Sequence, residues 1–293
     1  MPTYNKANSI VTLQWPESIS TPESVTMIQH RYGNLLSFSF HLFEPFSQMS
    51  CLISTRLGGV SQGHCRSLNL LFRVGDEESA VLTNRSRFYH VAGVEPERVA
   101  QAQLVHGTHI EMVTSQTPCG MFLQLPETDG LLTNIPNKAL FIPVADCAAI
   151  AFFDPKHYVI GMLHAGWRGA VKGITYQMVA TMREAFGSQP SDILVGLSPS
   201  IGPCCYQVKE DLVEVFTKAF PSDAHRFFLR QEDETIHLDM WAFLQWQLLG
   251  SGIREEHIEN SGLCTACHTE WFYSHRAEHG KTGRFAGLIM LNA

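Results

Sequence analysis

The sequence predicts an α+β fold, on three observations. Strand-like segments clearly outnumber helical ones, the two kinds do not alternate regularly, and no repeat, low-complexity tract or long linker divides the chain. A chain of 293 residues is within the range of one such unit. Its composition, 45% hydrophobic and 17% charged, is enough to fill a core.

The elements follow from periodicity. Residues 1–35 hold the turn formers Pro16 and Pro22 without strong patterning and are expected to be an N-terminal extension, with the catalytic domain over 36–293. LLSFSFHLF (35–43) alternates apolar and polar residues, and CLISTR (51–56) follows after Pro45; both predict strands. LGGVSQG (57–63) is a glycine-rich loop, and EESAVLTNRSRFYHVA (77–92) predicts a helix ending before Gly93. VAQAQLVHG (99–107) and HIEMVT (109–114) predict two strands meeting at Gly107. TDGLLTN (128–134) is a turn running into a short strand. ALFIPVADCAAIAFFDP (139–155) holds two apolar strands interrupted by the polar pair Asp146–Cys147. HYVIGMLHAGWRGAVKGI (157–174) is a strand, a glycine-rich turn and then a helix to about Phe186. A strand and loop over 192–208, helices over 209–220 and 239–251, and a closing strand complete the chain.

The formal net charge of −7 argues against nucleic acid or an anionic membrane as a partner reached by bulk electrostatics. No stretch approaches the roughly 20 apolar residues of a membrane span, and no basic segment followed by an apolar run marks a signal peptide, so the expected compartment is the cytoplasm. There, eight cysteines are expected as thiols, some of them available to a metal.

Three sharp local sequences place a soft or borderline ligand where a strand breaks: His106 in QLVHG, Cys147 in VADCAA and His164 in LHAGWRG. Two imidazoles and a thiolate suit zinc, with copper as the alternative occupant, and three protein ligands leave a fourth position free. The separations, 41 residues from 106 to 147 and 17 from 147 to 164, are too long for a zinc knuckle and suit ligands on different strands of one sheet. The competing reading is a core cysteine and two hydrogen-bonded histidines.

QLVHG, TDGLLTN, PVADCAAIAFFDP, LHAGWRGAVKGI, SPSIGPCCYQV and the terminal CT…FYSHR…TGR together resemble the YfiH-type laccase-domain family, in order, from about residue 36 to 292. Members were once described as multicopper polyphenol oxidases, and are now described as purine nucleoside phosphorylases with adenosine deaminase activity. The resemblance implies that His106, Cys147 and His164 are the metal ligands. It also implies a single-domain α/β/β/α layered sandwich, shared with certain cysteine-dependent bacterial toxins.

Other residues are read for chemistry around that centre. A metal that lowers the pKa of its water to about 7 makes hydroxide available, which for deamination would attack the purine carbon bearing the amino group. Asp146 is a candidate to move protons there, or else to accept a hydrogen bond from a ligand histidine and set its tautomer. Phosphorolysis of adenosine, inosine or methylthioadenosine needs a phosphate holder. Arg56, beside the glycine-rich loop, and Arg168, read as lying just before a helix N-terminus, are the candidates. Asn69 and Gln103 are candidates for contacts to substrate, Arg276 and Arg284 for further anion binding, and Trp167 for stacking on a base. CTACH (264–268) matches a haem-attachment string, which the absence of an export signal discounts. Cys204 and Cys205 with Cys264 and Cys267 form a second, structural zinc site on one reading, and serve packing on the other.

Two rivals remain. One is an amidase editing peptidoglycan precursors, with Cys147 as nucleophile and His164 or His106 as base, an activity described for some relatives. The other is copper-dependent phenol oxidation, disfavoured because the chain lacks the clustered His-x-His strings of multicopper oxidases.

Overall fold

The structure, a computed structural model, describes residues 27–293. Of the N-terminal extension expected over 1–35, residues 1–26 lie outside the described residues. Ile28–Tyr32 is a strand, joined through Gly33 and Asn34 to the next.

Two six-stranded mixed sheets form the body. The first runs β1 (Ile28–Tyr32), β2 (Leu35–Ser39), β3 (Met49–Ser54), β15 (Phe285–Leu291), β7 (Ala139–Val144), β4 (Val99–Gln101). The second runs β14 (Ile258–Asn260), β10 (Leu194–Leu197), β8 (Ala148–Asp154), β9 (Val159–Ala165), β6 (Gly130–Thr133), β5 (Ile110–Met112). A three-stranded sheet of β11 (Gln207–Val208), β13 (Ile236–Leu238) and β12 (Phe228–Arg230) lies beside them. The helices are α1 (Glu78–Val91), α2 (Trp167–Val171), α3 (Ile174–Phe186), α4 (Glu210–Ala219) and α5 (Met240–Gly250).

The layering follows from the two-residue period of a strand, which sends alternate side chains to opposite faces. In β15, Phe285, Ile289 and Leu291 join a core that also takes Ala149, Ala151 and Phe153 of β8 and Ile160 and Met162 of β9; this core fills the space between the two sheets. The alternate residues Ala286, Leu288 and Met290 pack with Phe88 and Tyr89 of α1 on the outer face of the first sheet. Ile150, Phe152 and Leu163 face outward from the second sheet onto Met178 and Met182 of α3 and Phe243, Leu244 and Leu248 of α5. The result is one domain of four layers, helix, sheet, sheet and helices, consistent with the α+β expectation and its sandwich form. The apolar runs of β7, β8 and β15 are continuous because both faces are covered.

The break at Asp146–Cys147 is larger than a kink within a sheet. β7 belongs to the first sheet and β8 to the second, so the chain crosses between layers at this pair. The segment 99–114 crosses likewise, from β4 to β5, and its strands are shorter than their apolar runs suggest.

Candidate metal centre

His106, Cys147 and His164 converge, with their donor atoms all within 4.8 Å of one another. They do not arise from strands of one sheet, as the spacing suggests, but from the seam between two. His106 lies on the β4–β5 crossing, Cys147 on the β7–β8 crossing, and His164 near the end of β9. His164 shares the strand face of Ile160 and Met162, the face turned toward the first sheet, so its ring points into the seam. The His106 and His164 rings sit 4.8 Å apart at 84°. His164 is buried, while His106 and Cys147 are partly open.

The backbone bends sharply to achieve this. His106 has φ 58° and Asp146 φ 81°, left-handed values that L-residues adopt at a cost and that cluster at functional sites. Gly166 closes the approach: a Cβ there would stand 2.8 Å from His106 Cδ2 and 3.1 Å from Cys147 Sγ, so no larger residue fits.

The residue that organises the ligands is Asp129, which the sequence reading places only within a turn. It is fully buried. Oδ1 accepts from His164 Nδ1 at 2.8 Å and from the His106 amide at 2.9 Å. Oδ2 accepts from the Gly107 amide at 2.6 Å and the Val105 amide at 3.2 Å. Holding the Nδ1 proton leaves His164 Nε2 with a free lone pair, the tautomer a ligand needs. Burial pushes the Asp129 carboxyl upward, but the His164 bond and these amides outweigh it and hold its pKa below the ordinary carboxylate value.

The ligands polarise one another in the same way. Burial alone would raise the Cys147 thiol; the His164 charge and hydrogen bonds from both histidines overturn that and lower it to about 6. Burial would lower His164; the Cys147 thiolate and Asp129 overturn that and raise it to about 9. A thiolate beside an orienting imidazole is both a metal ligand and a nucleophile in waiting. One soft sulfur and two imidazole nitrogens at this spacing fit zinc, and they fit copper as well.

A cavity of about 480 Å³ opens over the three donors. Asp146, Trp167, Arg168, Tyr206, His275, Arg276 and Arg284 line it, with Leu104, Met240 and Leu244 supplying apolar wall. Arg168 stacks on Trp167 at 4.2 Å, and Arg276 lies over Tyr206 at 5.3 Å. Arg168 is the second residue of α2 rather than a residue ahead of a helix. With only five residues that helix has little dipole, so the guanidinium itself is what faces the cavity.

The structure places four of the expected neighbours as follows. Arg56 does not line this cavity. Its guanidinium donates to the Arg66, Thr269 and Phe272 carbonyls, pairs with Glu278 at 3.1 Å and lies over Tyr273 at 4.4 Å, so its donors are taken up by the neighbouring 66–67 turn and the 269–278 segment. Asn69 is buried and spends its amide on Leu71 and Asp76, accepting in turn from the Leu71 and Arg284 amides. Gln103 lies just past the end of β4, exposed, and lines a different cavity. Asp146 makes no bond to a ligand histidine; its carboxylate accepts from Thr265 Oγ1 at 2.7 Å and the Arg276 amide at 2.6 Å. Asp129 fills the histidine-orienting role instead. The signal for it was an aspartate followed by glycine at the head of a strand paired with the His164 strand, which no spacing rule singles out.

Among the described residues no helix is long and apolar enough to cross a membrane.

Against known proteins, the family described as Multi-copper polyphenol oxidoreductase laccase matches residues 50–292. The purine nucleoside phosphorylase YlmD of Geobacillus stearothermophilus is 34% identical over 250 residues, which is 84% of this chain and 91% of that protein. The purine nucleoside phosphorylase YfiH of Escherichia coli is 30% identical over 238 residues, 81% of this chain and 92% of that one. The crystal structure of YlmD from Geobacillus stearothermophilus superposes with a TM-score of 0.85 at 31% identity, covering 92% of this chain and all of the other. With the motif order, the layered fold and these matches in agreement, the chain belongs to the YfiH-type laccase-domain family.

Proposed function

We propose that this protein is a zinc-dependent purine nucleoside phosphorylase, cleaving adenosine, inosine and methylthioadenosine with phosphate, and deaminating adenosine at the same site. The observation that carries the reading is the placement of the two imidazoles and one thiolate at the floor of a cavity with both aromatic and cationic walls. The names of the relatives, purine nucleoside phosphorylase in each case above, point to the same substrates.

His106, Cys147 and His164 would hold the metal. Zinc bound there supplies Lewis acidity and a lowered pKa for water. The chain's own groups do the rest. Tyr206 and Trp167, each with an arginine over one face, supply aromatic wall against which a purine can pack. Arg168 and Arg276 reach the cavity as cations suited to phosphate and to the charge that develops as it attacks the ribose carbon. Asp129 holds the proton of His164 Nδ1 throughout. Asp146, engaged by Thr265 and Arg276, positions the turn that carries Cys147 rather than moving protons. The test is product analysis with adenosine. Adenine with ribose 1-phosphate, formed only when phosphate is added, supports phosphorolysis; inosine supports deamination; unchanged adenosine under both conditions overturns the proposal.

One observation favours a second reading. Cys147, His164 and Asp129 form a thiol–imidazole–carboxylate relay with the thiol lowered to about 6, the arrangement of a cysteine hydrolase acting on amides. Chelation separates the two. It abolishes the metal-dependent nucleoside reaction, and it spares or raises amide hydrolysis by a free thiolate.

A further inference from the structure

A second group of soft donors lies outside the cavity. Cys204 and Cys205 follow Pro203 on the loop after β10, and Cys264 and Cys267 sit about 60 residues later on the loop after β14. All four sulfurs lie within 4.8 Å of one another, and Cys267 Sγ is 3.4 Å from both Cys204 Sγ and Cys205 Sγ. None of the four is in a disulfide. A tetrahedral zinc site with Zn–S of about 2.3 Å separates its sulfurs by roughly 3.8 Å, so these thiols are spaced as a tetrathiolate would hold them.

Three further features belong to such a site. Cys264 and Cys267 have the C-x-x-C spacing of a knuckle, which lets one tight turn present both sulfurs. Cys264 Sγ accepts the Gly202 amide at 3.2 Å, the kind of outer hydrogen bond that orients and stabilises a thiolate ligand. Gly202 is required for this approach, since a Cβ there would lie 2.7 Å from the Trp241 ring and 3.2 Å from Cys264 Cβ. Cys264 is buried while Cys204 and Cys267 are exposed, which gives an ion an entry path.

We propose that Cys204, Cys205, Cys264 and Cys267 bind one zinc ion as a closed, structural tetrathiolate site, separate from the His106–Cys147–His164 centre. Four protein ligands leave no position for water or substrate, so this ion does no chemistry. It ties together the two loops that wall the cavity. Ser200 and Cys264 already form a β-bridge, with Thr265 N donating to the Ser200 carbonyl at 3.1 Å. From these loops Ile201 N donates to the Asp146 carbonyl at 2.9 Å and Thr265 Oγ1 to its carboxylate, so the clamp supports the turn before Cys147.

The experiment is metal analysis of the full chain purified under reducing conditions after growth with zinc. Wild type is expected to carry two zinc ions per chain. The C147A chain is expected to keep one and the C204S/C267S double variant to lose one. Should the double variant fail to fold, the C147A protein carries the test alone. Loaded with cobalt, it should show the intense long-wavelength absorption and the sulfur-to-metal charge transfer of a four-sulfur tetrahedral site. Alkylation mapped by mass should find all four cysteines protected until a chelator is added. A C147A protein that binds no metal, with the four thiols freely alkylated or with a mass two hydrogens lower per disulfide, overturns the proposal. Because the readout is metal content, it stands or falls independently of nucleoside turnover.

Discussion

The two sulfur-containing clusters set similar donors in different surroundings. At His106–Cys147–His164 three donors sit on strand ends and layer crossings, a buried carboxylate fixes one imidazole, and a cavity opens above. At Cys204–Cys205–Cys264–Cys267 four donors sit on two surface loops, their outer hydrogen bonds come from backbone, and the sulfurs face one another. Three donors and a cavity leave a place for a reacting group, and four donors without one leave none. On the two proposals above, the contrast is between a site open to a reacting group and a site closed by its own ligands.

The largest expected effect removes the sulfur of the open site. Cys147→Ala should reduce adenosine turnover to the detection limit, while heating followed by circular dichroism shows a folded protein; full turnover in this variant would erase the distinction. Next is Asp129→Asn, which keeps the volume but withdraws the charge that holds the His164 proton. Metal affinity or kcat/KM should fall about 10–100-fold, the usual range for a partner of a ligand histidine. A chelator competition assay reads the first and steady-state kinetics the second.

Smaller effects separate cavity arginines from structural ones. Arg168→Ala should raise the KM for phosphate roughly tenfold, the loss of about 1.5 kcal/mol for one charged hydrogen bond. Arg56→Ala should leave that KM unchanged and instead lower the melting temperature, since its guanidinium serves carbonyls and Glu278. An unchanged melting temperature with a raised KM would reverse the two assignments.

The smallest is a shift in pH profile. In metal-stripped protein, alkylation of Cys147 should rise through a midpoint near pH 6, because above it the thiolate predominates and below it the unreactive thiol. Asp129→Asn weakens the His164 charge that stabilises that thiolate, so the midpoint should move upward. A midpoint at the ordinary thiol value in the unaltered chain would remove the electrostatic pairing from the account. These measurements concern the open site; the closed one supplies the control, since its metal content should not respond to Asp129→Asn.

Much of the scaffold was legible before any coordinates. The runs around Asp146–Cys147, the strand and turn of LHAGWRG and the helix over 77–92 follow from apolar periodicity and breakers, and they stand close to β7, β8, β9 and α1. The motifs also picked out His106, Cys147 and His164, which the structure brings together. The neighbours of the three ligands were less legible. Arg56 beside glycines looks like an anion site in the sequence, but carbonyls of Arg66, Thr269 and Phe272 and the Glu278 carboxylate, distant in sequence or outside the loop, engage its guanidinium. Arg276 and Arg284 drew less weight, although both line the cavity.

By itself, the sequence determined roughly which segments are extended or helical, which positions carry soft donors and where the backbone must turn, because these depend on residue type and short-range period. Only the tertiary structure decided that β7 and β8 lie in different sheets, that Asp129 faces His164 from 35 residues away, and that two cysteine pairs meet across two loops. Those facts depend on how the layers stack. Stacking is settled by burial of whole sheet faces, a property that no short stretch of chain contains.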